Sequence, residues 1–210
     1  MSSITTRWWW VRHAPVTGMD GIMYGSDDVP CDTTDHASFN HLAAVLPAKA
    51  YWMTSHLSRT HDTASAIRDA GLNFPQPVVE EHLGEQNFGD WQGRKWGDME
   101  KRDRQVYDAF WQDPARNRPP GGESFADQIK RTAGVIDRIT AERAGQTIVA
   151  VAHGGTIRAA ISHALALSPE AGMAFVTDNL SMTCLDHVEG GLLRGKGAAW
   201  RVVCINRPAK

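Results

Sequence analysis

Three short, unbroken apolar runs decide what this chain can fold into: WWWV at Trp8–Val11, AYWMTS at Ala50–Ser55 and TIVAVA at Thr147–Ala152. A strand with one wet face alternates polar and apolar residues. A continuous run belongs instead to a sheet covered on both faces, and such sheets are mostly parallel. Between the runs the pattern changes to helical spacing. DHASFNHLAAVL places Phe39, Leu42, Ala43 and Leu46 on one face. Ser58–Gly71 reads as a helix with Ser58 as its N-cap and Gly71 just past its end. Ser124–Arg143 carries Phe125, Ile129, Ala133, Ile136 and Ile139 along one stripe, and Gly154–Leu167 is a further helix. Val78–Glu81, Ser181–Val188 and Ala199–Ile205 read as strands, Leu83–Gly93 as a loop and Lys95–Asp113 as a mixed helical excursion. Strands alternating with helices predict an α/β fold, a three-layer sandwich on a mainly parallel sheet, in a single domain over residues 1–210.

In such sheets ligands sit beyond the carboxyl ends of the strands. There the first run is followed by Arg12 and His13, the second by SHLSRTHDTA with Arg59 in the first turn of a helix, and the third by His153, Gly154 and Gly155 opening another helix. Arginine forks match phosphate oxygens, a helix N-terminus favours an anion, and glycine allows close backbone approach. Each feature alone is commonplace. Together, at three strand ends, they prefer a phosphoryl group.

Composition narrows the partners. Of the 210 residues 42% are hydrophobic and 22% charged, with a formal net charge of −2, so no basic footprint for nucleic acid or an anionic membrane is expected. Three cysteines without a C-x-x-C form neither a disulfide framework nor a zinc site. The N-terminus lacks a secretory h-region and no apolar run approaches the ~20 residues of a membrane helix, so a cytoplasmic location is expected. The pairs His36/His41 and His56/His61 do not share a helix face, and a metal site is not expected there. Most of the eight tryptophans belong to the core, with Trp91 and Trp96 as candidates for a pocket wall.

VRHAPV, TSHLSRTHDTA, LGEQNFGDWQG, GGES and VAVAHGG, in this order, resemble the markers of the histidine phosphatase superfamily, also called phosphoglycerate-mutase-like. RHAPV followed by YGSDDVP resembles the branch that contains α-ribazole phosphatase. The resemblance spans nearly the whole chain and implies a sheet of about six strands with helices on both faces. It implies that His13 is the nucleophile and takes the phosphoryl group as phosphohistidine. Arg12, Arg59 and His153 would hold the equatorial oxygens, and Glu85 would protonate the leaving alcohol and then activate water. Glu80, Glu81 and Asp90 stand nearby as alternative carboxylates. Tyr24, Gly25 and Gly154 would approach the substrate. No metal or cofactor is required, since the guanidiniums supply the positive charge, and like charge near His13 favours the neutral, attacking imidazole.

The implied activity is hydrolysis of a small phosphorylated metabolite. A phosphoglycerate mutase and a non-catalytic phosphate-binding module are the other readings, and a homodimer stays open. Three departures from the family pattern stand out. Ala14 replaces the usual glycine after Arg-His. APVTGMDG lacks the usual asparagine, leaving Thr17 as a substitute. Gln92 replaces glutamate in W-E-G, a change expected to matter little. Arg158 and His163 read as helix-face residues. The alcohol half of the substrate is expected against Asp20–Asp35, Leu83–Asp113 and Glu189–Ala198.

Overall fold

The computed structural model describes residues 4–102, 104–193 and 199–209. A six-stranded sheet is built from β1 (Thr5–Arg12), β3 (Tyr51–Thr54), β4 (Val78–Val79), β6 (Thr147–Ala152), β7 (Met182–Val188) and β8 (Trp200–Arg207). The spatial order is β4-β3-β6-β1-β7-β8. β4, β3, β6 and β1 run parallel, whereas β7 pairs antiparallel with both β1 and β8. The sheet is therefore mainly parallel, as the apolar runs require.

Helices cover both faces. Along β1, Trp8 and Trp10 pack with Ile148, Ala150 and Ala152 of β6 beneath α5 (Phe125–Glu142) and α6 (Gly154–Ala164). Trp9 and Val11 turn to the other face, where Val149, Val151 and Trp52 meet Phe39 and Leu42 of α1 (His36–Val45) and Ala64 and Ile67 of α2 (Ser58–Asp69). Trp8 and Trp10 are fully buried and stack at 5.0 Å between ring centroids. Each such ring contributes several kcal/mol through the apolar area it removes from water, at roughly 25 cal/mol per Å².

An excursion between β4 and α5 holds β5 (Arg94–Lys95), α3 (Trp96–Arg102) and α4 (Arg104–Gln112). β5 pairs with β2 (Ile22–Met23) in a small two-stranded sheet. Met23, Trp91, Met99 and Phe110 form a separate small core there, so Trp91 is a packing residue rather than a pocket wall. A short α7 (Pro169–Met173) lies between α6 and β7. Among the described residues no helix is long and apolar enough to cross a membrane.

Two local expectations are corrected. The residue capping α2 is Leu57, whose extended backbone makes no side-chain cap. Ser58 lies inside the first turn, and its N–H and hydroxyl both donate to Asp28 Oδ1, at 2.8 and 2.7 Å. The cap comes from a distant loop. The buried face of α5 runs through Phe125, Gln128, Thr132, Val135, Ile136, Ile139 and Thr140, leaving Ile129 and Ala133 only partly covered. Three polar residues, Gln128, Thr132 and Thr140, thus lie on the buried face of α5.

Candidate active site

β3, β6 and β1 are neighbours in the sheet, so their carboxyl ends bring together what the sequence scatters. The register sets Arg12 opposite Ala152, and the next residues, His13 and His153, have ring centroids 5.1 Å apart. Both are buried, as is Arg59. His13 is held on every side. Its N–H donates to Ala152 O at 2.9 Å, its carbonyl accepts from Asn179 Nδ2 at 2.8 Å, and the following N–H, of Ala14, donates to Thr63 Oγ1 at 2.9 Å. The Ala14 methyl is buried in the α1/α2 core, so it points away from the strand end and the missing glycine costs no backbone approach there.

The ring tautomers follow from their partners. His13 Nδ1 lies 2.7 Å from the carbonyl oxygen of Ala14. A carbonyl brings no proton, so Nδ1 carries the hydrogen and Nε2 presents its lone pair. His153 Nδ1 accepts from Arg59 Nε at 3.3 Å, so its Nε2 donates to Ser55 Oγ at 2.7 Å. Burial, reinforced by the Arg59 and Arg12 charges, pushes His13 down to about 3. Burial also holds His153 well below the ordinary imidazole range. Both rings are neutral at ordinary pH.

Arg59 reaches the site through Nε, while its other two nitrogens donate to the carbonyls of Asp27 and Gly25 at 2.7 and 2.8 Å. Three of its five N–H groups are thereby placed and two remain. Its carbon lies 5.5 Å from the Tyr24 ring centroid. Arg12 donates one terminal N–H to Thr177 O, and among the described residues Arg12 Nε and Thr177 Oγ1 are buried with no partner. Both flank Gly154: a Cβ built there would lie 3.2 Å from Thr177 Oγ1 and 3.4 Å from Arg12 Nε. Unpaired buried donors at a helix N-terminus suit an anion. Thr17, the substitute for the absent asparagine, is exposed instead. The spare hydroxyl at the site belongs to Thr177.

Glu85 sits against the same helix N-terminus. Its Oε1 accepts from Gln86 N–H at 2.9 Å and Gln128 Nε2 at 3.1 Å, and its Oε2 accepts from Gly155 N–H at 3.2 Å. Burial raises its proton affinity, but these three donors and Arg12 outweigh it and hold the carboxyl below the usual range. Gly155 makes this contact geometrically possible, since a Cβ there would fall 2.3 Å from Glu85 Oε1. The other candidate carboxylates are occupied elsewhere. Glu80 pairs with Arg138, and Glu81 and Asp90 are exposed. Arg131 of α5 fixes the Glu85 loop by donating to the carbonyls of His82 and Glu85 and to Glu123.

Glu85 lines two cavities. One, of ≈440 Å³, is acidic, with Glu81 and Glu123 beside His56 and Arg131. The other, of ≈220 Å³, is bounded by Met23, Tyr24, Phe88, Trp96 and Arg158. Trp96 stands in this wall, and Tyr24 and Gly25 line the same cavity. Two residues were misread. Arg158, read as a helix-face residue, lines this cavity; burial pushes its pKa down, against the pull of Glu85, and among the described residues only its Nε has a hydrogen-bond partner, Phe175 O at 2.8 Å. Gln92 is central to the loop over Arg59: its Oε1 accepts from Ser26 N–H, Ser26 Oγ and Phe88 N–H, and its Nε2 donates to Asp27 Oδ1 at 2.7 Å. The R-T-x-x-T spacing and the H-G-G helix start gave no signal for either. Residues 194–198 of the Glu189–Ala198 stretch lie outside the described residues.

Comparison with known proteins bears on the family and the fold. Residues 8–194 match the family model of the histidine phosphatase superfamily (branch 1). A 2,3-bisphosphoglycerate-dependent phosphoglycerate mutase of Gloeobacter violaceus is 30% identical over 76% of each chain. The adenosylcobalamin/α-ribazole phosphatase of Escherichia coli is 26% identical over 86% of this chain and 89% of that protein. The solved mycobacterial glucosyl-3-phosphoglycerate phosphatase has the same fold, with a TM-score of 0.80 at 24% identity over 97% of this chain and 99% of that one. Mycobacterial relatives 36% identical over 102 residues are longer proteins, of which this match covers 27%. The matched model covers both strand-end histidines, both arginines and Glu85, and the chain belongs to the histidine phosphatase superfamily, branch 1, whose members among its relatives are phosphatases and mutases.

Proposed function

We propose that this chain hydrolyses a small phosphomonoester through a phosphohistidine on His13. The observation that carries the reading is the Nδ1–H contact to Ala14 O, which leaves a neutral Nε2 lone pair at a buried strand end. In this reading Arg12, the free N–H groups of Arg59, Thr177 Oγ1 and the α6 N-terminus take the equatorial oxygens, where charge accumulates in transfer. A bound phosphate dianion raises the proton affinity of Glu85 by its like charge. Glu85 then protonates the leaving oxygen, and as carboxylate it later takes a proton from water attacking the phosphohistidine.

The alcohol half fits the cavity bounded by Tyr24, Phe88, Trp96 and Arg158 better than the acidic one. Glu81 and Glu123 repel an anionic ester, whereas Arg158 attracts one and the rings offer stacking surface. A nucleoside-like alcohol such as α-ribazole suits such walls, and so does one bearing a second anion. Phosphate release from a panel holding α-ribazole 5′-phosphate, p-nitrophenyl phosphate and sugar phosphates tests the reading, with His13→Asn expected to abolish turnover. The mutase relative supports a second reading, return of the phosphoryl group to another hydroxyl. Faster isomerisation of phosphoglycerate than phosphate release would establish that one, and phosphate bound without any release would leave only a binding module.

A further inference from the structure

The proposed chemistry asks Glu85 to be a carboxylic acid in one half-reaction and a carboxylate in the other. The two backbone N–H groups that hold it, of Gln86 and Gly155, can only donate, so neither can accept the O–H of the protonated acid. The third partner differs. Gln128 is fully buried on the inner face of α5, where an apolar residue would ordinarily stand. Its Nε2 donates to Glu85 Oε1 at 3.1 Å and to Thr156 Oγ1 at 3.3 Å, while the Thr156 hydroxyl donates onward to Gly84 O at 2.8 Å. Its Oε1 is buried beside Gly155 with no hydrogen-bond partner among the described residues.

We propose that Gln128 is a positioning residue for both protonation states of Glu85, its amide turning over as the proton arrives. With Glu85 ionised, Nε2 donates to the carboxylate. With Glu85 protonated, the amide reverses about its last torsion, and Oε1 accepts the carboxyl O–H and a rotated Thr156 hydroxyl. Each orientation strands one end of the amide in the same corner beside Gly155, so the corner costs similar free energy either way. The proton on Glu85 then decides the orientation. The balance is simple: the acid's proton passes to the ester oxygen as the P–O bond breaks and the P–N bond to His13 forms. A proton from the attacking water later restores the acid as P–N breaks.

This inference rests on Glu85 as the acid, and the experiment separates the two. kcat/KM is measured against pH for p-nitrophenyl phosphate, whose leaving group needs little protonation, and for an alkyl phosphomonoester. Glu85→Gln should lose far more on the alkyl ester than on the nitrophenyl ester. Gln128→Met, similar in shape but without either polar group, should show the same selective loss, about tenfold or more, and move the basic limb of the alkyl-ester profile to higher pH, since a donor to the carboxylate is gone. Gln128→Glu, which sets a second carboxylate against the first, should also raise that limb. Equal losses on both esters with unmoved limbs in folded Gln128 variants would overturn the inference while leaving Glu85 in place. Equal losses in Glu85→Gln would overturn both.

Discussion

A neutral His13 has a cost that equilibrium unfolding can measure. Unfolded, the ring titrates near its ordinary 6.5; folded, it is held down to about 3. Below 6.5 the unfolded chain therefore binds a proton that the folded one refuses. The contribution is fully present above 6.5 and is lost as the pH falls towards about 3, at about 1.36 kcal/mol per unit. Between pH 6.5 and 4.5 this amounts to roughly 2 kcal/mol, a substantial part of the ~5–15 kcal/mol that ordinarily separates folded from unfolded. The ring is 1% exposed, so solvent screening takes little from that figure. The assay is urea unfolding of wild type and His13→Asn across this range, with stability plotted against pH. Carboxylates and His153 contribute to both curves and largely cancel in the difference. The wild-type curve should fall more steeply by close to one proton. Parallel curves would show that His13 titrates normally in the folded protein and would remove the argument for a permanently neutral nucleophile.

Other perturbations probe the supports of the site. Gly155→Ala sets a methyl carbon 2.3 Å from Glu85 Oε1. kcat/KM for an alkyl ester should fall about 100-fold or more while the urea midpoint moves little, as the acid must swing away. Gln92→Glu restores the family's usual residue but places a carboxylate against Asp27 and removes the donor that holds it. KM should rise about five- to tenfold with a smaller change in kcat, which a steady-state titration would show. Trp96→Ala, at the cavity wall, should lower kcat/KM for aromatic or nucleoside phosphomonoesters more than for glycerol phosphate, and a substrate panel decides.

Much of this architecture was legible because it rests on periodicity. TIVAVA is β6 residue for residue, and the three apolar runs are the adjacent strands β3, β6 and β1 that gather Arg12, His13, Arg59 and His153. What stayed hidden depends on partners far away in sequence. β2 and β5, two residues each, pair with one another and carry no pattern of their own. Ser58 looked like a cap by composition, but the acceptor for its N–H is Asp28, thirty residues earlier. The stripe of α5 was misplaced because Gln128 and Thr132 break the apolar rule, and Gln128 breaks it beside Glu85. Arg158 satisfies a surface pattern until α6 turns it toward the cavity that Trp96 closes from another element.

The central claim is a covalent bond between phosphorus and His13 Nε2. Wild-type protein should be mixed with labelled substrate, quenched in base and digested, and its peptides mapped by mass spectrometry. One phosphoryl group should appear on the His13 peptide, stable in alkali, lost in acid and absent from His13→Asn. Turnover that leaves His13 unmodified at every mixing time, or a phosphoryl group found on another residue, would contradict the account.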